Sequence, residues 1–169
     1  MTARFTTLLF LATLLMSSAV ASAQDMADDF PPPIKTFPRA ERARLDAGTD
    51  PGQRVEFALT LLEGYLKKAE TLARDENFRA SFPELGSFHG VMEHTVTVLR
   101  RDSRGTNKDF VSFKKLEMAL RAFSPRIELI RRDAPQIYRG YLGQLLKDLR
   151  DARSRIIEPF YGNDVVKPK

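Results

Sequence analysis

Histidine occurs only twice in this chain of 169 residues, as His89 and His94. Both lie in the stretch His89-Gly90-Val91-Met92-Glu93-His94, which the surrounding pattern predicts to be helical. On a helix, His89 and Glu93 stand four residues apart and share a face. An imidazole and a carboxylate one turn apart can converge on a divalent cation, so His89 and Glu93 are the candidate metal ligands. A third ligand would have to come from another helix, and no sequence feature singles one out. The plainer reading is a surface His89 hydrogen-bonded to Glu93, with His94 on the helix flank. The order of residues is one too long for H-x-x-E-H, and H-E-x-x-H is absent, so neither zinc-protease signature is present. Non-covalent haem is the other chemistry to weigh, because exported helical bundles hold it through inward His and Met side chains. The candidates are His89, His94, Met92 and Met118, although both methionines suit plain core filling equally well.

Other chemistries are absent. The chain has no cysteine, which removes thiolate nucleophiles, thiolate metal sites, iron–sulfur clusters and covalent c-type haem. Gly86-Ser87-Phe88-His89-Gly90 is not the G-x-S-x-G elbow, and it falls in a helical pattern rather than at a strand-to-helix turn. No Gly-rich phosphate loop occurs. The 22 acidic residues single out no carboxylate pair for glycoside chemistry. An enzyme would need a site assembled only in three dimensions.

The N-terminus predicts export. Arg4 precedes an apolar run from Phe5 to Met16, followed by the small-residue site Ala21-Ser22-Ala23. This is the three-part pattern of a signal peptide over residues 1–23, with an apolar run too short to span a bilayer comfortably. No cysteine follows it to carry a lipid. The expected destination is the periplasm or the extracellular space, with no membrane-spanning segment after cleavage. Residues 24–49 are expected to form a proline-rich flexible tether, extended at Pro31-Pro32-Pro33, with a short helix near Arg39 to Ala47. A docking segment for an aromatic groove is the sharper alternative for that tether.

Residues 50–160 carry four apolar seams with alternating three- and four-residue spacing. The first is Val55, Leu59, Leu62, Leu66, Ala69 and Ala73, started by Asp50-Pro51 as cap and first helical residue. The second is Leu85, Phe88, Met92, Val96 and Leu99, with Ser81 expected as cap and Pro83 in the first turn. Gly86-x-x-x-Gly90 on this helix permits a close helix crossing. The third and longest seam is Phe113, Leu116, Leu120, Phe123, Ile127 and Ile130, which keeps its register through Pro125 and predicts one kinked helix. The fourth is Tyr138, Leu142, Leu145, Leu149, Ala152 and Ile156. Residues 161–169 are expected to be a disordered tail. The fold expected is all-α: an antiparallel up-down four-helix bundle, or alternatively two stacked helical hairpins of helical-repeat type.

The formal charge is +5, from 27 basic and 22 acidic residues. In an up-down bundle Lys67, Lys68, Arg74, Arg131 and Arg132 gather at one end, and Arg100, Arg101, Arg153 and Arg155 at the other. Helix-dipole complementation accounts for such an arrangement without a partner. An anionic envelope component is the binding alternative. Nucleic acid is not expected, because no basic stripe is interleaved with aromatics. These patterns point to a non-catalytic exported helical module that binds another protein or an envelope component. The alternative is a metal- or haem-binding bundle centred on His89 and Glu93.

Overall fold

The computed structural model describes residues 31–161. The expected signal peptide, residues 24–30 and residues 162–169 lie outside that range. The described chain is all-helical, with five helices and no strand: α1 (Arg39–Ala47), α2 (Pro51–Arg74), α3 (Phe78–Asp102), α4 (Asn107–Asp133) and α5 (Gln136–Tyr161). No helix among the described residues is long and apolar enough to cross a membrane.

The helix starts are chemically explicit. Asp50 caps α2 by accepting from the Gln53 amide at 2.9 Å, and Pro51 occupies the first turn. α3 begins four residues earlier than expected. Asn77, not Ser81, is its cap and accepts from the Ala80 amide at 3.2 Å. Pro83 therefore lies inside α3, and Ser81 instead donates to the Ala69 carbonyl at 3.0 Å, tying α3 to α2. α4 opens with a reciprocal capping box. The Asp109 amide donates to Thr106 Oγ1, while the Asp109 carboxylate accepts from the Thr106 and Arg104 amides. Such reciprocal bonds satisfy backbone donors that a helix start leaves open.

The four seams meet in one contiguous core. Leu62 and Leu66, Leu85 and Phe88, Leu116 and Leu120, and Leu142 and Leu145 are all fully buried and belong to it. Successive long helices run antiparallel: Ser81 meets Ala69 between α2 and α3, and Arg153 meets Glu117 between α4 and α5. The two hairpins then pack so that like meets like. Lys115 pairs with Glu56 and Arg126 with Glu63 and Glu70, so α4 runs parallel beside α2. Phe82 packs on Tyr138 and His89 faces Asp148, so α5 runs parallel beside α3. α3 and α4 thus lie across the core from each other, where the Phe88 and Phe123 rings meet edge-on at 5.5 Å.

The expected tether is different from Pro33 onward. Residues 33–37 lie against α3, Phe37 is buried, and α1 is seated through the fully buried Leu45. Arg54, only 6% exposed, secures this region. It donates to the Leu45 and Gly48 carbonyls and pairs with Asp102 at 2.9 Å. A buried guanidinium needs such complete partnering to offset its desolvation. Tyr65 adds a further tie, donating to Glu41 of α1 at 2.7 Å.

Two consequences are measurable. Leu120→Ala should lower stability by about 2–5 kcal/mol in denaturant unfolding, because it leaves a cavity at a fully buried position. Asp109 reports on pH. Burial raises its carboxyl pKa, but the hydrogen bonds from Thr106 and Arg104 outweigh that and hold it below the ordinary 3.8. Its ionised form therefore stabilises the fold above pH 3.8, and that contribution is lost as pH falls through the lower folded value. Asp109→Asn should cost about 1 kcal/mol at neutral pH, and urea titrations should show the difference shrinking as the pH drops below 3.8.

Candidate metal centre

α3 and α5 position the site. Along their interface Phe82 packs against Tyr138 and Tyr141, with centroids 4.5 and 5.1 Å apart, and His89 follows about two turns further on. His89 is fully buried, not a surface residue as the plainer sequence reading had it. Its ring lies between α3 and α5, facing Tyr141 and Asp148 of the latter. Nδ1 stands 3.3 Å from the Tyr141 hydroxyl. That hydroxyl donates to the Leu85 carbonyl at 3.3 Å, so its oxygen is left to accept a proton from Nδ1. This assigns the tautomer with Nδ1–H and a bare Nε2 lone pair.

Nε2 points at carboxylates. Glu93 Oε1 is 3.1 Å away and Asp148 Oδ2 is 3.2 Å away. Neither makes a satisfactory hydrogen bond with it, and Nε2 is buried without a partner. Among the described residues, His89, Glu93 and Asp148 form a cluster whose ligand atoms all lie within 4.8 Å of one another. Two ligands on a tetrahedral zinc stand roughly 3.3 Å apart, given bond lengths of about 2.0–2.1 Å. The observed separations from Nε2 are close to that edge.

The electrostatics favour a ligating imidazole. Burial and the neighbouring Lys35 ammonium hold the His89 pKa below 6.5, outweighing the upward pull of Glu93 and Asp148. The neutral ring is the form that binds metals. Tyr141, itself buried beside those acids, is pushed upward and stays a neutral phenol. A metal-ligating His commonly engages its second nitrogen in this way, which fixes the ring's orientation.

The strap over residues 33–37 covers the site. A Cβ at Gly86 would lie 2.6 Å from the Ile34 carbonyl oxygen, and one at Gly90 would lie 2.9 Å from the Lys35 carbonyl. The pair expected to admit a crossing helix therefore admits an extended segment instead. Ser87 donates to the Thr36 carbonyl at 2.9 Å, and Lys35 Nζ reaches Glu93 Oε1 at 2.9 Å.

The remaining sequence candidates are elsewhere. His94 binds Asp46 at 2.8 Å and packs on Phe37, so it serves the seat of α1. Met92 is fully buried in the core, and Met118 is 59% exposed. The inward His and Met set considered for haem is thus not brought together. Asp148, Lys35 and Tyr141 were not recognised as site residues from sequence. Asp148 carried one usable signal: it is an acid beside the seam residue Leu149, seven positions after Tyr141. The basic ends are partly neutralised, since Arg101 pairs with Asp102, Arg131 with Glu128 and Arg153 with Glu117.

The chain matches no protein-family model, no curated protein and no solved structure. Its chemistry rests on the geometry alone.

The two glycines carry a direct test. Gly90→Ala should push the strap away from α3 while favouring the helix itself by about 1 kcal/mol. Limited trypsin digestion read by mass spectrometry should show faster cleavage of the Lys35–Thr36 bond in the variant than in the parent protein. An unchanged rate would mean that the glycines are not the strap's seat.

Proposed function

We propose that this protein is a helical module that binds a divalent cation through His89, Glu93 and Asp148. The observation that carries the reading is His89 Nε2, buried without a hydrogen-bond partner and flanked at 3.1 and 3.2 Å by carboxylate oxygens from two helices. One imidazole and two carboxylates suit borderline ions such as Zn2+, Co2+ or Mn2+, and no thiolate is present to select a softer ion. Three protein ligands leave room for water or for a ligand atom from a partner. For the architecture, the single core shared by all four seams supports a closed four-helix bundle assembled from two hairpins. Export is part of the proposal and rests on the pattern of residues 1–23.

A second reading is that the module docks on another protein or an envelope component. Val111, Met118 and Leu129 favour it: all three are more than half exposed and share one face of α4. The two readings are compatible, because the metal site lies between α3 and α5.

Zn2+ titration by calorimetry should give one site per chain. Glu93→Gln and Asp148→Asn should each weaken binding by at least about tenfold while leaving the helical circular dichroism unchanged. Failure to bind Zn2+, Co2+ and Mn2+, or binding indifferent to both substitutions, would overturn the metal reading.

A further inference from the structure

The ammonium of Lys35 and the ring of His89 contact the same two oxygens. Lys35 Nζ lies 2.9 Å from Glu93 Oε1 and 3.8 Å from Asp148 Oδ2. His89 Nε2 lies 3.1 and 3.2 Å from those same atoms. Two carboxylates thus face one ammonium, so the cluster already holds a cation supplied by its own chain. A divalent ion drawn to the same oxygens would stand next to that ammonium, and like charges at such separations repel strongly in a partly desolvated site. Lys35 is the member able to leave. Its side chain is 42% exposed and is carried by the strap, whereas Glu93, 40% exposed, is fixed on α3, His89 is fully buried and Asp148 is 21% exposed.

The backbone around Lys35 connects that exchange to a larger element. Lys35 is the middle residue of the strap whose carbonyls rest on Gly86 and Gly90, and the next residue accepts from Ser87. Moving the ammonium removes the strap's one ionic anchor to α3 and α5 and leaves Ser87, the glycine seat and Phe37 to hold it.

We infer that Lys35 is a built-in competitor for the metal: it occupies the carboxylates in the metal-free protein, and metal binding expels it and loosens the strap of residues 33–37. The inference rests on the metal reading above and adds regulation to it. The glycine pair supports it independently, since α3 is shaped to bring this particular backbone close to the cluster. Metal loading would then be reported at the surface by the strap itself.

The experiment compares the full chain with Lys35→Met, which keeps the length and apolar stem of the side chain and removes its charge. Zn2+ affinity is measured by calorimetry for both proteins. Backbone hydrogen exchange over residues 33–37 is followed with and without Zn2+. The expected result is at least about tenfold tighter Zn2+ binding by Lys35→Met, with faster strap exchange in the parent protein once Zn2+ is bound. Gly90→Ala, which lifts the strap by pressing on the Lys35 backbone carbonyl and alters no ligand and no lysine side-chain atom, should also bind more tightly than the parent. Equal Zn2+ affinity in all three proteins, with strap exchange unaffected by metal, would overturn the competitor while leaving the metal site intact. Absence of Zn2+ binding in all three would overturn the metal reading, and the competitor with it.

Discussion

A neutral imidazole buried against two carboxylates is the constraint around which this molecule is arranged. His89 has no exposure, and Glu93 and Asp148 lie within 3.2 Å of its Nε2. Two like charges beside an unpaired lone pair are unfavourable in a poorly solvated site unless a cation joins them. Lys35 supplies one. For its ammonium to arrive, the backbone of residues 33–37 must lie flat on α3, and that requires a helix face without side chains at Gly86 and Gly90. A run of local features that would each be costly alone becomes consistent when taken together.

The rest of the fold serves this interface by rigidity. Hairpin α2–α3 and hairpin α4–α5 pack with like helices side by side, which makes α3 and α5 parallel neighbours and brings Asp148 level with His89. The ladder of Phe82, Tyr138 and Tyr141 fills the space below the cluster. On the opposite side of the core, the ion pairs of Arg126 with Glu63 and Glu70 hold α4 against α2. Charged pairs thus flank both parallel-helix interfaces, while apolar residues fill the centre. The proposed divalent-cation site between α3 and α5 fits this division, because a bound metal would bridge the two hairpins.

Much of the architecture was legible because helical periodicity is a local property. Each seam could be read from spacing alone, and Asp50-Pro51 marked the start of α2 as its chemistry requires. The errors were also local. Ser81 was a plausible cap, but Asn77 reaches the helix start first, and Ser81 finds a tertiary partner in the Ala69 carbonyl. Gly86 and Gly90 were legible as a close-approach surface, yet the sequence gives no sign of what approaches. Proline-rich residues 31–38 read as a linker by composition; packing on α3 depends on a complementary surface some fifty residues away, as the Ser87–Thr36 contact illustrates.

The sequence alone established an all-helical domain with four amphipathic seams, the lack of any thiolate chemistry, and the pairing of His89 with Glu93 on one helical turn. These follow from residue type and from a periodicity of 3.6 residues, both local. Only the tertiary structure decided that His89 is buried, that Asp148 is the third member of its cluster, and that Lys35 is the cation already present. His89 lies fifty-two residues from Tyr141 along the chain. Contacts at that separation are set by which helix faces which, and that choice is made by the packing of two hairpins, not by any pattern within one of them.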